Sequence, residues 1–328
     1  MEDIVIKSCE IAQPKPGDLV VDIGCNDGTL LRSYKNPGLN LVGFEPAKNL
    51  VEDARKGTGH IFNDFFAFDL FRKEFPDSKA KIITSIAMFY DLDDPEGFVA
   101  DIVKCLDSNG VWVIQQNYLC SMLEQNGFDN IGHEHLTYYS LETINQLAKK
   151  HDLEIFDVET NNVNGGSFRT YLAHRGQYPI RTSVLEMSLR EAKLFSGRPS
   201  IYSRFADNVR RIKRQLRNFI EAQVRVGKTV YVYGASTRGN TLLQYCGLDH
   251  RLIKKATDAN PEKWGRVTPG TGIPIVSKTN ARKDNPDFFL VLPHHFLNEI
   301  RQEERRYLQS GGAFIVALPE FRVVTWNE

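Results

Sequence analysis

Paired cysteines are missing from this 328-residue chain. The five that occur, Cys9, Cys25, Cys105, Cys120 and Cys246, are scattered, and no two form a CxxC pair. An odd, dispersed set in a long chain reads as reduced thiols, which excludes a disulfide framework and the usual structural zinc motif. Long apolar runs are missing too, so no segment approaches the length that spans a bilayer. The opening "MEDIVIKSCEIAQPKPGDL" carries acidic residues at once and has no apolar h-region. No signal peptide is expected from it, and the expected location is cytoplasmic. Net charge is the third absence, with 41 Lys and Arg against 41 Asp and Glu. A balanced chain has no global pull toward nucleic acid or anionic membrane, and neither is expected as a partner.

What is present is an ordinary globular composition, 41% hydrophobic and 25% charged, at a length that suggests two domains. Two glycine-bearing turns follow apolar β-type runs. In "DLVVDIGCNDGTLLRSY" a strand over Leu19–Ile23 leads through Gly24 and Gly28 into a helix. In "KTVYVYGASTRGNTLLQYC" a strand over 229–233 leads through Gly234 and Gly239 into another. Each has the strand–turn–helix form that opens a doubly wound α/β sheet. Further strands are expected in "LNLVGFEP", "KIITSIAMFY" and "GVWVIQQNYL", and later in "IKKATDAN", "PDFFLVLP" and "GAFIVALPE". "DPEGFVADIVKCLDSNG" reads as a helix stopped by Asn109-Gly110. Between the halves, Phe205, Val209, Ile212, Leu216, Phe219 and Ile220 recur at three- and four-residue spacing. That pattern predicts an amphipathic helix of about seven turns, its basic residues mostly on other faces.

The first turn, "VVDIGCNDG", sets Asp22 at a strand end and Gly24, Asn26 and Asp27 in the bend. Glycine lets the backbone pass close to a ligand, and amides at the helix start can face it. The spacing differs from the GxGxxG dinucleotide fingerprint. It resembles motif I of the class I S-adenosylmethionine-dependent methyltransferases. Glu45, followed by Pro46, lies 21 residues after Gly24, where a carboxylate can accept from both ribose hydroxyls. Asp64, in "NDFF", suits an adenine amino group, with Phe65 against the ring face. Core packing is the plainer reading of Phe65 and Phe66.

"NIGHEHLTYYS" places His133, Glu134 and His135 in a row. It is not the HExxH of a zinc protease, and no third ligand lies at readable spacing, so no metal site is expected. A plain polar loop remains open. Acid–base work is favoured because the segment follows a strand, and ligands of open α/β sheets sit at the carboxyl ends of strands. A neutral histidine beside a carboxylate can abstract a proton near neutral pH.

Together, "VVDIGCNDGTLL", "FDNIGHEHLTYYSLETI", "VNGGSFRTYLAH", "YGASTRGNTLLQYCGL", "NPEKWGRVTPGTGIPI" and "FFLVLPHHF" resemble the sugar C-methyltransferase family, from about Asp18 to Glu320. The family methylates a ring carbon of nucleotide-linked 4-keto-deoxysugars. The resemblance implies a class I methyltransferase Rossmann-like domain over 1–175, binding S-adenosylmethionine. A linking helical segment over 176–226 and a second Rossmann-like α/β domain over 227–328, holding the nucleotide-sugar across a cleft, would follow. It implies that His135 removes the proton next to the ketone, with Glu134 orienting it or sharing the proton and His133 a weaker candidate. Gly234, Ala235, Ser236, Thr237 and Asn240 would offer donors to phosphate and Arg238 a charge partner, with Trp264, His294 and His295 also contacting substrate. Trp264 as a packed interdomain residue stays open.

The family usually begins with a cysteine-rich zinc domain, and none is in this chain, so a covalently linked or separate N-terminal module is an expected partner. Several relatives have Tyr where Gly132 precedes HEH, and His is expected where Asp91 stands. These departures leave O-methylation of a sugar or related acceptor, and an inactive nucleotide-sugar binding module, as alternatives.

Overall fold

The computed structural model describes residues 1–327. It divides into two compact units, Met1–Leu119 with Leu136–Leu194, and Cys120–His135 with Phe195–Glu328. No described helix is long and apolar enough to cross a membrane.

The first unit is built on a seven-stranded sheet of β1 (Leu19–Ile23), β2 (Asn40–Phe44), β3 (His60–Phe62), β4 (Ala80–Ile86), β5 (Leu106–Asn117), β6 (Leu153–Asn161) and β7 (Ser167–His174). Their order is β3-β2-β1-β4-β5-β7-β6. The first five pair in parallel, and β7 runs antiparallel to both neighbours. Its helices are α1 (Glu2–Ala12), α2 (Thr29–Arg32), α3 (Lys48–Ala54), α4 (Phe68–Glu74), α5 (Pro95–Cys105), α7 (Leu141–Lys150) and α8 (Thr182–Ser196), while α6 (Leu119–Glu124), between α5 and α7 in the chain, falls from Cys120 on with the second unit. Every residue of β1 is buried, as a central parallel strand covered on both faces requires. Val20, Ile82, Val111 and Val113 pack against Ile4 and Val5 of α1. Leu31, Val51, Ala54 and Ile61 form a smaller cluster around Cys25.

Two expectations change here. Helix α5 starts as read, with Asp94 capping Gly97 N–H and Pro95 at the first helical position. It ends at Cys105, however, because Leu106 turns extended and pairs beside Ala80. Asn109 and Gly110 then lie inside β5, where the register with β4 shifts, and not at a helix stop. The β6–β7 pair has no counterpart among the expected strands, whereas α8 falls within the expected helical segment 176–226.

The second unit carries a six-stranded sheet of β8 (Val230–Tyr233), β9 (Lys255–Thr257), β10 (Ile275–Val276), β11 (Phe288–Val291), β12 (Ala313–Val316) and β13 (Arg322–Val324). The order is β10-β9-β8-β11-β12-β13, parallel except for β13. The predicted long helix is α9 (Ile201–Arg225). Its Val209, Ile212, Leu216 and Ile220 pack on Val230, Val232 and Leu290. Burying each such side chain is worth about 1.5–3 kcal/mol, which outweighs the weak helix preference of its β-branched residues. Tyr231, Tyr233, Phe289 and Phe314 fill the opposite face.

Both sheets change direction of winding at their centre, between β1 and β4 and between β8 and β11. Ligands of doubly wound sheets bind outside the carboxyl ends of the strands at that point.

Candidate active site

At the switch point of the first unit, Gly24 takes φ +72°, and its N–H and that of Cys25 both donate to the Phe44 carbonyl at 2.9 and 3.0 Å. A Cβ at Gly24 would sit 3.3 Å from Met88 Cγ, so glycine serves both the left-handed bend and the clearance. The bend opens a cavity of about 720 Å³. Asp22, Gly24, Asn26, Asp27, Glu45, Pro46, Asp64 and Phe65, the eight residues expected to bind cofactor, all line it. The volume lies within the usual range for a small-molecule site.

Glu45 is 6% exposed, yet each of its oxygens has a backbone donor: Asn26 N–H to Oε2 and Ala47 N–H to Oε1, both 2.8 Å. Two amides fix the carboxylate while leaving further acceptor capacity on both oxygens, which suits a ribose diol. Asp22 is 3% exposed and accepts from Thr84 Oγ1 at 2.6 Å. Burial pushes its carboxyl up to about 7; the Thr84 hydrogen bond opposes that rise and the nearby Glu45 charge adds to it. Burial likewise pushes the Cys25 thiol up to about 12, so it lines the cavity as an unreactive apolar group.

The two phenylalanines of "NDFF" separate. Phe66 is half-buried: it packs edge-on against Phe44 and Phe98, as core packing predicts, and also lines the cavity. Phe65 is 74% exposed at the cavity, so the core reading fails for it, and an open ring face remains for a flat ligand. Asp64 Oδ1 accepts the Phe65 N–H at 2.8 Å, which sets the bend that turns the two rings apart. Sequence reading missed Ile86, Ala87, Met88, Leu92 and Phe98, which also line the cavity. Ala87 takes φ 56° immediately after β4, a left-handed bend held by its N–H to the Gln115 carbonyl at 2.7 Å. An unbroken apolar run gave no sign of it. Asp91 also lines the cavity.

The HEH residues belong with the second unit. They occupy a turn closed by the His135 N–H to the Gly132 carbonyl at 3.2 Å. The His133 and Glu134 side chains are 89% and 66% exposed and stand 4.0 Å apart. His135 is half-buried, and its Nδ1 lies 2.8 Å from the Asn130 carbonyl oxygen. A carbonyl only accepts, so Nδ1 carries the hydrogen, and in the neutral ring Nε2 holds the lone pair. The orienting partner at Nδ1 is therefore Asn130 and not, as expected, Glu134.

The second glycine turn is made like the first. Gly234 takes φ +87°, and its N–H and that of Ala235 both donate to the Thr257 carbonyl at 3.0 Å. A Cβ there would meet Pro293, in the loop after β11, just as one at Gly24 would meet Met88 after β4. Asp258 follows Thr257 as Glu45 follows Phe44, and it too accepts the N–H two residues on, from Asn260 at 2.9 Å. This pairing corrects one expectation. The Gly234 and Ala235 amides are spent closing the turn, and Ser236 Oγ caps Gly239 N–H at the start of α10 (Thr237–Cys246), so these amides do not present a phosphate nest.

Arg238, in the first turn of α10, donates from Nη2 to Asp129 Oδ1 at 3.0 Å and stands in ion-pair contact with Oδ2 at the same distance. Asp129 is buried, as are Asn240 Oδ1 and His295 Nε2, neither of which has a hydrogen-bond partner among the described residues. Asp129, His294 and His295 bring ligand-type atoms within 4.8 Å of one another, a grouping invisible in the sequence. The guanidinium already supplies the cation for that carboxylate. Burial pushes His295 down to about 4, with His294 and Arg238 adding, and burial lowers His294 too, so both rings are neutral near pH 7. Trp264 is 43% exposed, its Nε1–H fixed on the Asp258 carbonyl at 2.9 Å.

Comparisons with known proteins give these features a family. Residues 8–158 match the methyltransferase domain family, and residues 162–319 match the family described as the C-methyltransferase C-terminal domain. The C-methyltransferase NovU of Streptomyces niveus is 34% identical over 311 residues, covering 94% of this chain and 74% of that protein. Among solved structures, an S-adenosylmethionine-dependent methyltransferase from Clostridium acetobutylicum ATCC 824 is similar over 53% of this chain and 91% of its own, at 15% identity and TM-score 0.43. Magnesium protoporphyrin IX methyltransferase from Synechocystis PCC 6803, solved with bound SAH, is similar over 53% of this chain and 81% of its own, at 12% identity and TM-score 0.42. The sequence match over nearly the whole chain decides for carbon over oxygen as the methylated atom, and for an enzyme over an inactive module. The chain belongs to the S-adenosylmethionine-dependent C-methyltransferases.

Proposed function

We propose that this enzyme methylates a ring carbon of a nucleotide-linked keto-deoxysugar, with His135 as the base. The observation that carries the reading is the His135 ring itself. Its Nδ1–H is tied to the Asn130 carbonyl, which leaves Nε2 as the basic atom of the neutral imidazole. Carbon next to a ketone is not nucleophilic until it loses a proton, so C-methylation needs such a base, and a neutral histidine works near pH 7.

In this reading Nε2 takes the proton from the carbon beside the ketone, and the C–H electron pair passes into an enolate. S-adenosylmethionine supplies an electrophilic methyl group, which the enolate carbon takes up with S-adenosylhomocysteine as the leaving group. His135 then returns its proton to solvent. In the first unit Glu45 would hold the ribose hydroxyls, Asp64 and Phe65 the adenine, and the Gly24 turn the chain between them. The fit rests on the amide-fixed Glu45 carboxylate and the open Phe65 ring at one cavity. Glu134 and His133, both exposed in the same turn, are assigned to contacts with the acceptor rather than to orienting the base.

The nucleotide part is supported by the likeness of the two glycine turns. Asp258 stands to the Gly234 turn as Glu45 stands to the Gly24 turn, which suits it to a second ribose. Trp264 offers an indole face for the base beside it, and His295 Nε2 and Asn240 are polar groups for the diphosphate or sugar.

The test is incubation of the chain with S-adenosylmethionine and a panel of thymidine- and uridine-diphosphate 4-keto-6-deoxyhexoses in D2O. Methyl transfer to carbon is expected, together with exchange of the ring hydrogen next to the ketone, and His135→Gln should abolish both. Methyl transfer without loss of that hydrogen, or transfer that survives His135→Gln, would refute the proposal.

A further inference from the structure

We infer that Asp129 is a positioning residue for the His135 base and that Arg238 serves it as an anchor; the inference rests on the base assignment proposed above. Asp129 lies at the middle of a short 3-10 turn, Phe128–Asn130, and is 4% exposed. A buried carboxylate is retained only where its charge is compensated, and Arg238 Nη2 donates to Oδ1 and pairs with Oδ2, both at 3.0 Å. The other end of the turn is plugged by Phe128, 3% exposed in the core of the second unit and 5.2 Å from the Tyr245 ring. The turn is thus pinned to α10 twice, once by charge and once by apolar packing.

Its last residue does the orienting. The Asn130 carbonyl accepts the His135 Nδ1–H at 2.8 Å and the Gly132 N–H at 3.1 Å. The direction of that carbonyl follows from the backbone of Phe128–Asn130, which the Asp129–Arg238 pair holds. The His135 tautomer is therefore set from α10, a helix more than a hundred residues along the chain. Arg238, assigned from sequence to a substrate phosphate, is assigned here to the geometry of the base.

Histidine tautomers are read by nitrogen NMR, which needs no substrate. In the full chain labelled with 15N-histidine, His135 is identified by the signal lost in His135→Gln. At pH 8 the wild type is expected to show one protonated nitrogen at Nδ1 and one lone-pair nitrogen at Nε2. Asp129→Asn, which keeps the shape and removes the charge, should move both shifts toward the average of exchanging tautomers. Arg238→Met should do the same, while Arg238→Lys, retaining a cation, should restore most of the wild-type pattern. In turnover, Asp129→Asn should lower kcat by up to about 100-fold, the scale for a misplaced catalytic group, with KM for S-adenosylmethionine unchanged. Unchanged His135 shifts in Asp129→Asn would overturn the inference. Should Asp129→Asn fail to fold, Arg238→Lys and Arg238→Met give the same comparison, and identical His135 shifts in the two would overturn it equally. The base assignment fails separately, if His135→Gln still exchanges the ring hydrogen while the tautomer result stands.

Discussion

Replacing Asp22 with asparagine should stabilise the first unit, and by an amount that grows with pH. Asp22 is buried on β1 with Thr84 as its hydrogen-bond donor, and asparagine Oδ1 can accept from the same hydroxyl. The aspartate carboxyl titrates at about 7 in the folded protein, because burial, with the Glu45 charge adding, disfavours its ionised form. In an unfolded chain it titrates at about 3.9. Between those values the folded protein binds a proton that the unfolded chain does not, so wild-type stability falls as pH rises through the window. Each pH unit costs about 1.4 kcal/mol, giving about 4 kcal/mol in all above pH 7. Between pH 5 and pH 8 the advantage of Asp22→Asn should therefore grow by about 2–3 kcal/mol. Trp112 is the tryptophan of the first unit, buried and bonded to Ser85, so its fluorescence in urea reports that unit once Trp264 and Trp326 are phenylalanine. Saturating S-adenosylmethionine, whose sulfonium favours a charged carboxylate, should narrow the difference, and neutral S-adenosylhomocysteine should not. A difference that stays flat with pH, or shrinks as pH rises, would refute the assignment of a buried, protonated Asp22.

Three further outcomes are expected. Glu45→Ala removes the acceptor of two amides and of the proposed ribose contacts, and calorimetric titration should show S-adenosylhomocysteine weakened by about 1–3 kcal/mol. Phe65→Ala should weaken the same ligand by about 1 kcal/mol through lost stacking; its melting temperature should hardly move, because the ring is 74% exposed. Gly132→Tyr should fold with stability within about 1 kcal/mol of wild type, since a Cβ there meets nothing within 4 Å and the backbone is not left-handed. A melting temperature lowered by ten degrees would show the space argument wrong.

The sequence by itself determined the parts whose physics is local. A strand, a glycine bend and a helix within twenty residues announce a βα unit, so β1, β8 and the stripe on α9 were legible, and Leu19–Ile23 was read to the residue. That the residues expected at the cofactor would line one cavity was legible for a related reason. In a doubly wound sheet the loops after β1, β2 and β3 reach one crevice, so Asp22, Glu45 and Asp64 come together by order along the chain.

Tertiary structure alone decided whatever depends on partners far away. Asn109 and Gly110 looked like a helix stop, but pairing of Leu106 with Ala80 on β4 draws them into a strand. Phe65 and Phe66 are identical and adjacent and both line the cavity, and only the packing of Phe44 and Phe98 holds one against its neighbours while the other stands exposed. Asp22 reads as an ordinary acid until its burial is known. Arg238 carried a phosphate-ligand signature, yet Asp129, 109 residues away in the chain, claims its guanidinium. No local pattern encodes such a pair, because a buried charge chooses its partner by proximity in the folded core, where desolvation makes the wrong choice costly.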